Sequence, residues 1–145
     1  MNSKVTFRTL SLVGISILAA AWGTQPTHGQ MEFMSEAMYP EFFTRDLVVF
    51  SEGLNLEDDQ EVIVEAMFDS YSDDFEAGWA ATQERLNSIA NELRENKPTN
   101  DRDMLKPVLE ALGSWLDEKR ALDLGLLENI KTILIEEQLE LWPSF

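Results

Sequence analysis

The chain has 145 residues, 44% of them hydrophobic, which suffices for one domain with a real core. Its 27 acids against 11 bases leave a formal charge of −16, a field that repels nucleic-acid phosphates and favours cations and basic polypeptides. With no cysteine, and His28 as the one histidine, a disulfide framework, thiolate chemistry and a lipid anchor on cysteine drop out.

Residues 1–29 read as a secretory signal peptide. Lys4 and Arg8 give the positive start, and Leu10 to Ala21 form an apolar run too short for a comfortable bilayer span. Small residues follow, with cleavage expected after Ala21, Gly23 or Gly29, the last two favoured. A buried N-terminal helix and an uncleaved anchor are the competing readings. Loss of Lys4 and Arg8 with the leader would take the mature chain to about −18. The expected location is periplasmic or secreted, with no membrane span after cleavage.

Residues 30–39 are expected to form a flexible, Met-rich arm, with Met31, Met34 and Met38 at helical spacing. Residues 40–145 are expected to form an all-α domain, a long antiparallel helical hairpin with a short N-terminal helix. Pro40-Glu41-Phe42-Phe43 suits a helix start, with proline first and acid in the first turn. Phe43, Leu47, Phe50 and Leu54 then make one stripe, predicting a helix over 40–53 that Gly53 and Asn55 close.

The second helix is predicted over 57–96, with Asn55 as its cap and Glu57, Asp58 and Asp59 against its positive dipole end. Ile63, Met67, Tyr71, Phe75 and Trp79 step by four, and Leu86, Ile89 and Leu93 continue the face. Residues 96–101 have the composition of a turn, and a third helix follows with Pro107 near its first turn or at a kink. Leu105, Val108, Leu109, Leu112, Leu116, Leu122, Leu126, Ile130 and Leu134 supply its apolar face, and Gly113 and Gly125 weaken it locally. The short connection makes the two long helices antiparallel neighbours. Residues 62–68, including Val62, Ile63, Met67 and Phe68, are apolar almost all round. Such a stretch calls for more than one neighbour, either the first helix or a second subunit, so a homodimer is expected. The tail carrying Trp142 is expected to pack back or to present a sticky end.

Catalytic constellations are sparse, and an enzyme is not expected. No histidine can serve a nucleophile or complete a di-iron Glu-x-x-His set, and acids on a long helix are ordinarily a solvated face. Asp69 to Asp74 mimics a calcium loop, but Tyr71, Asp74 and Ala80 stand where an oxygen ligand, glycine and the closing acid belong. Copper(I) on the methionines lacks histidine or cysteine support. No cofactor and no defined metal site are expected.

Two segments begin with Leu-x-x-x-Gln in an acidic setting, Leu56-Glu57-Asp58-Asp59-Gln60 and Leu134-Ile135-Glu136-Glu137-Gln138. With the leader, the long hairpin, the missing cysteines and the closing Leu-Trp, the chain resembles the Spy/CpxP-like periplasmic proteins, which carry two Leu-Thr-x-x-Gln motifs and include stress relatives of the ZraP type. The resemblance covers most of residues 40–142. Glu57 and Ile135 stand at the threonine positions, and the family's histidine-rich metal tracts are absent, so a zinc role is not carried over. The resemblance implies a curved helical dimer that cradles unfolded proteins without ATP or damps an envelope stress sensor. Val62, Ile63, Met67, Phe68, Tyr71, Phe75, Trp79 and Trp142 are the expected client or dimer contacts. Docking on one specific envelope partner and acidic binding of divalent cations are the alternative functions.

Overall fold

The computed structural model describes residues 36–96 and 100–142. The expected signal peptide and its cleavage points, Met31 and Met34, and the middle of the expected turn lie outside them. The described chain is all-helical, as the periodicity predicts. A helical turn at 36–38 and a short 3-10 turn, Thr44–Asp46, precede α1 (Leu47–Leu54), α2 (Asp58–Asn96), α3 (Asp101–Lys131) and α4 (Glu136–Leu139).

The hairpin of α2 and α3 dominates. Gln60 meets Ile133, Tyr71 meets Asp123 and Trp79 meets Trp115, so partner numbers fall along α3 as they rise along α2, the signature of an antiparallel pair. At 39 residues α2 spans about 58 Å. Asn100 caps α3, its side chain accepting from the Asp103 backbone N–H at 2.8 Å. Pro107 sits inside α3 beyond the first turn, where it withholds a donor from the carbonyl one turn back. Among the described residues, no helix is long and apolar enough to cross a membrane.

Helix one starts later than the sequence predicts. Pro40 to Phe43 are non-helical; Phe43 is extended, and its N–H bonds the Asp46 carboxylate at 2.8 Å. The acid that closes the first turn is therefore Asp46 and not Glu41. Asn55 also serves a different helix from the one expected. It takes the left-handed conformation at φ 51° and ends α1, and the Leu56 N–H returns to the Ser51 carbonyl at 3.0 Å. This six-residue closure leaves Leu56 against the core. Gly53 lies within α1. Two assignments on the third helix change as well. Leu109 is exposed, and Leu134 is buried beyond the helix end at Lys131.

Two apolar clusters fill the interior. The larger joins Phe50 and Leu54 of α1 to Val64, Phe68 and Tyr71 of α2 and to Leu126, Ile130 and Leu134. Trp142 packs back onto it, its ring 6.2 Å from Phe50 and under the Lys131 ammonium at 5.1 Å. The second cluster gathers Phe75, Trp79, Leu112 and Trp115 around Ala37, which is fully buried. The C-terminal end of the expected flexible arm is thus docked. Trp115 reaches this cluster because Gly78 leaves room; a Cβ there would lie 2.4 Å from the indole ring. Toward the hairpin tip, Ala90 is the only buried residue between 83 and 110 among those described.

Candidate functional site: a paired-glutamine joint and an apolar groove

The two Leu-x-x-x-Gln motifs come together. Gln60 is the third residue of α2 and Gln138 the third of α4, and both do the same local work. Gln60 Oε1 accepts from the Glu57 N–H at 2.9 Å, and Gln138 Oε1 accepts from the Ile135 N–H at 3.1 Å. Each is the returning half of a capping box, satisfying a donor that the helix start leaves open. Ile135 makes no outgoing cap, having no polar side chain to offer.

The two amides also bond each other. Gln60 Nε2 donates to Gln138 Oε1 at 2.9 Å, and Gln138 Nε2 donates to Gln60 Oε1 at 2.8 Å. The second proton of each goes to backbone across the joint, from Gln60 to the Ile133 carbonyl at 2.8 Å and from Gln138 to the Asn55 carbonyl at 3.0 Å. Each amide thereby uses both donors and both acceptor lone pairs. Flipping either would face its oxygen to a carbonyl and its nitrogen to a backbone N–H, so both orientations are fixed. Leu56 and Leu134 flank the pair in the larger cluster, and Gln138 is 4% exposed. A fully satisfied polar pair in such a site specifies one register between the start of α2 and the chain leaving α3. Nearby, Ser51 Oγ donates to the Glu61 carboxylate and ties α1 to the same end.

A second polar group fastens the segment before α1. Lys119, 4% exposed, pairs with Asp123 at 3.1 Å and reaches Glu41 at 3.8 Å. Tyr71 donates its hydroxyl to Asp123 at 2.6 Å and accepts from the Glu41 N–H at 3.1 Å. Burial first, then the Asp123 carboxylate beside it, pushes the Tyr71 phenol well above its usual value. Trp115 Nε1 donates to the Ala37 carbonyl at 2.7 Å.

An open groove runs along the hairpin, about 370 Å³ in volume. Ile63, Ala66, Met67, Leu122 and Leu126 make its apolar lining, with Asp74, Ser70 and Asn129 among the polar residues. Gly125 lies in its wall with nothing within 4 Å of where a Cβ would stand.

The expected contact residues divide. Val62 and Ile63 are exposed at 66% and 44%, and Met67 and Trp142 are half-buried. Phe68, Tyr71, Phe75 and Trp79 lie in the chain's own core. The first helix covers residues 62–68 on the Val64 and Phe68 side and leaves Val62 and Ile63 bare. Sequence reasoning passed over Trp115, Lys119, Asp123 and Gly78. Trp115 and Lys119 fit the 3- and 4-residue steps joining Leu112 to Leu122, and a glycine beside Trp79 marks a close approach. Among the described residues, no group of three or more His, Cys, Asp or Glu side chains could hold a metal ion. Comparison with family models, with curated proteins and with solved structures finds no match.

Proposed function

We propose that the chain is an exported, ATP-independent chaperone-like or envelope-stress protein of the Spy/CpxP type, one that binds unfolded or partner polypeptides and works as a homodimer without a catalytic site. The observation that carries this reading is the groove beside exposed Val62 and Ile63, an apolar surface set among acids. From Glu57 to Glu76, α2 and its cap hold nine acids and no base, which keeps such a surface soluble and favours basic segments in its clients. The reciprocal pairing of Gln60 and Gln138 gives the two motifs one shared structural task, as expected if they belong to one design.

The test is direct. Mature protein, mixed near-stoichiometrically with a chemically denatured client and no ATP, is expected to suppress light scattering and to do so less well in high salt. Unchanged aggregation removes the reading. Docking on a single envelope partner is the second reading, supported by the exposed, contiguous Val62 and Ile63. One dominant species in a pull-down from envelope extract would favour it over a broad client spread.

A further inference from the structure

We propose that the face of the hairpin beneath residues 36–42 is a polypeptide-binding surface, occupied here by the chain's own N-terminal strap, which an incoming client segment displaces. The strap is held in the way a protein holds a peptide. Trp115 donates to the main-chain carbonyl of Ala37, and Tyr71 accepts from the main-chain N–H of Glu41. Both groups exist at every non-proline position of any polypeptide, so this part of the recognition tolerates many sequences. One contact discriminates. Ala37 is fully buried against Phe75, Trp79 and Trp115, which admits only a small side chain. Four residues on, Glu41 points its carboxylate at buried Lys119. The partner that fits is a segment with a small residue followed by an apolar side chain such as Met38.

Several features make the strap exchangeable. Glu41 is 65% exposed and sits 3.8 Å from Lys119, a geometry that contributes little in water. Lys119 keeps its Asp123 partner at 3.1 Å when Glu41 leaves, so no buried charge is stranded. Tyr71 likewise keeps Asp123. Displacement would uncover part of the Phe75, Trp79 and Trp115 cluster, and Tyr71, Phe75 and Trp79 are among the expected client or dimer contacts. The inference deepens the chaperone reading, but peptide binding and aggregation are measured separately and fail separately.

The probe is a fluorescein-labelled synthetic peptide with the sequence of residues 34–43, titrated by anisotropy into the full mature chain and into Ala37→Arg, whose tethered strap no longer fits. Ala37→Arg is expected to bind the peptide saturably and about tenfold or more tighter than wild type, because in the native chain the tethered strap competes. Adding Trp115→Phe to that variant is expected to abolish most of the gain, and a peptide carrying Arg at position 37 is expected not to bind. Should Ala37→Arg fail to fold by circular dichroism, Glu41→Ala serves instead, with an expected gain of about two- to fivefold. Equal binding by wild type and variant, or binding by neither, overturns the proposal. So does sedimentation showing a wild-type dimer that Ala37→Arg dissociates, since the surface would then belong to the strap of a second copy.

Discussion

The two ends of the hairpin are built from the same kind of helix and held together in different ways. At the base, α1, α4 and the tail wrap α2 and α3, aromatic rings fill the space, and Gln60 and Gln138 lock the register through four bonds across the joint. At the tip, only α2 and α3 remain, Ile89 and Leu93 are half-buried, and Ala90 is the lone buried residue described. Charge follows the same division. The base half of α2 is uniformly acidic, whereas Arg85, Arg94, Arg102 and Lys106 lie toward the tip. The contrast teaches that helix length and helix stability are separate quantities. Packing partners and satisfied polar groups decide where a hairpin opens first.

The largest expected break comes at the inner cluster. Trp115→Ala removes a fully buried indole and its bond to Ala37, and should cost about 3–5 kcal/mol in a denaturant titration. Ile89→Ala at the tip should cost no more than about 1–1.5 kcal/mol by the same measure, since only part of the side chain leaves water. Equal costs would erase the contrast. Gly78→Ala comes next, because its Cβ meets the Trp115 ring at 2.4 Å; about 1–3 kcal/mol of destabilisation is expected despite the better helix propensity of alanine. Gly113→Ala, with open space around it, should instead stabilise by about 0.5–1 kcal/mol. Thermal melts of both variants compare the two signs directly.

A smaller effect sharpens the picture of the strap. The Tyr71 phenol is raised in the folded chain, so the folded state holds its proton where the unfolded state, titrating near 10, gives it up. Its contribution is complete below that value and is lost as pH rises toward the folded one. Tyr71→Phe should therefore be less stable at neutral pH yet lose less stability between about pH 9 and 11 than wild type. An unchanged alkaline slope would count against the burial of Tyr71 beside Asp123.

Much of the architecture was legible in the sequence. Four-residue steps from Ile63 to Trp79 marked α2, and the turn composition of residues 96–101 marked the break before α3. Both are local signals. What escaped depends on residues far apart in the chain. Nothing within ten residues of Gln60 announces that its partner stands 78 positions away, although each motif taken alone marks a helix start. The same holds for Pro40 to Phe43, whose sequence suits a helix but whose Glu41 N–H bonds Tyr71, 30 positions away, while Phe43 is extended. Asn55 fits either side of a helix boundary, and its left-handed backbone settles it as the end of α1. The groove has no local signature at all, because α2 and α3 line it jointly.

The two Leu-x-x-x-Gln motifs act as one joint, and a double-mutant cycle tests this most directly. Gln60→Ala and Gln138→Ala, singly and together, would be compared by denaturant titration of the full chain. Each single change is expected to cost about 1–3 kcal/mol, since it strands polar groups at the joint. The double change should cost less than the sum of the singles by about 1–2 kcal/mol, because either loss already breaks the reciprocal pair. Additive costs, with no coupling energy, would contradict the joint.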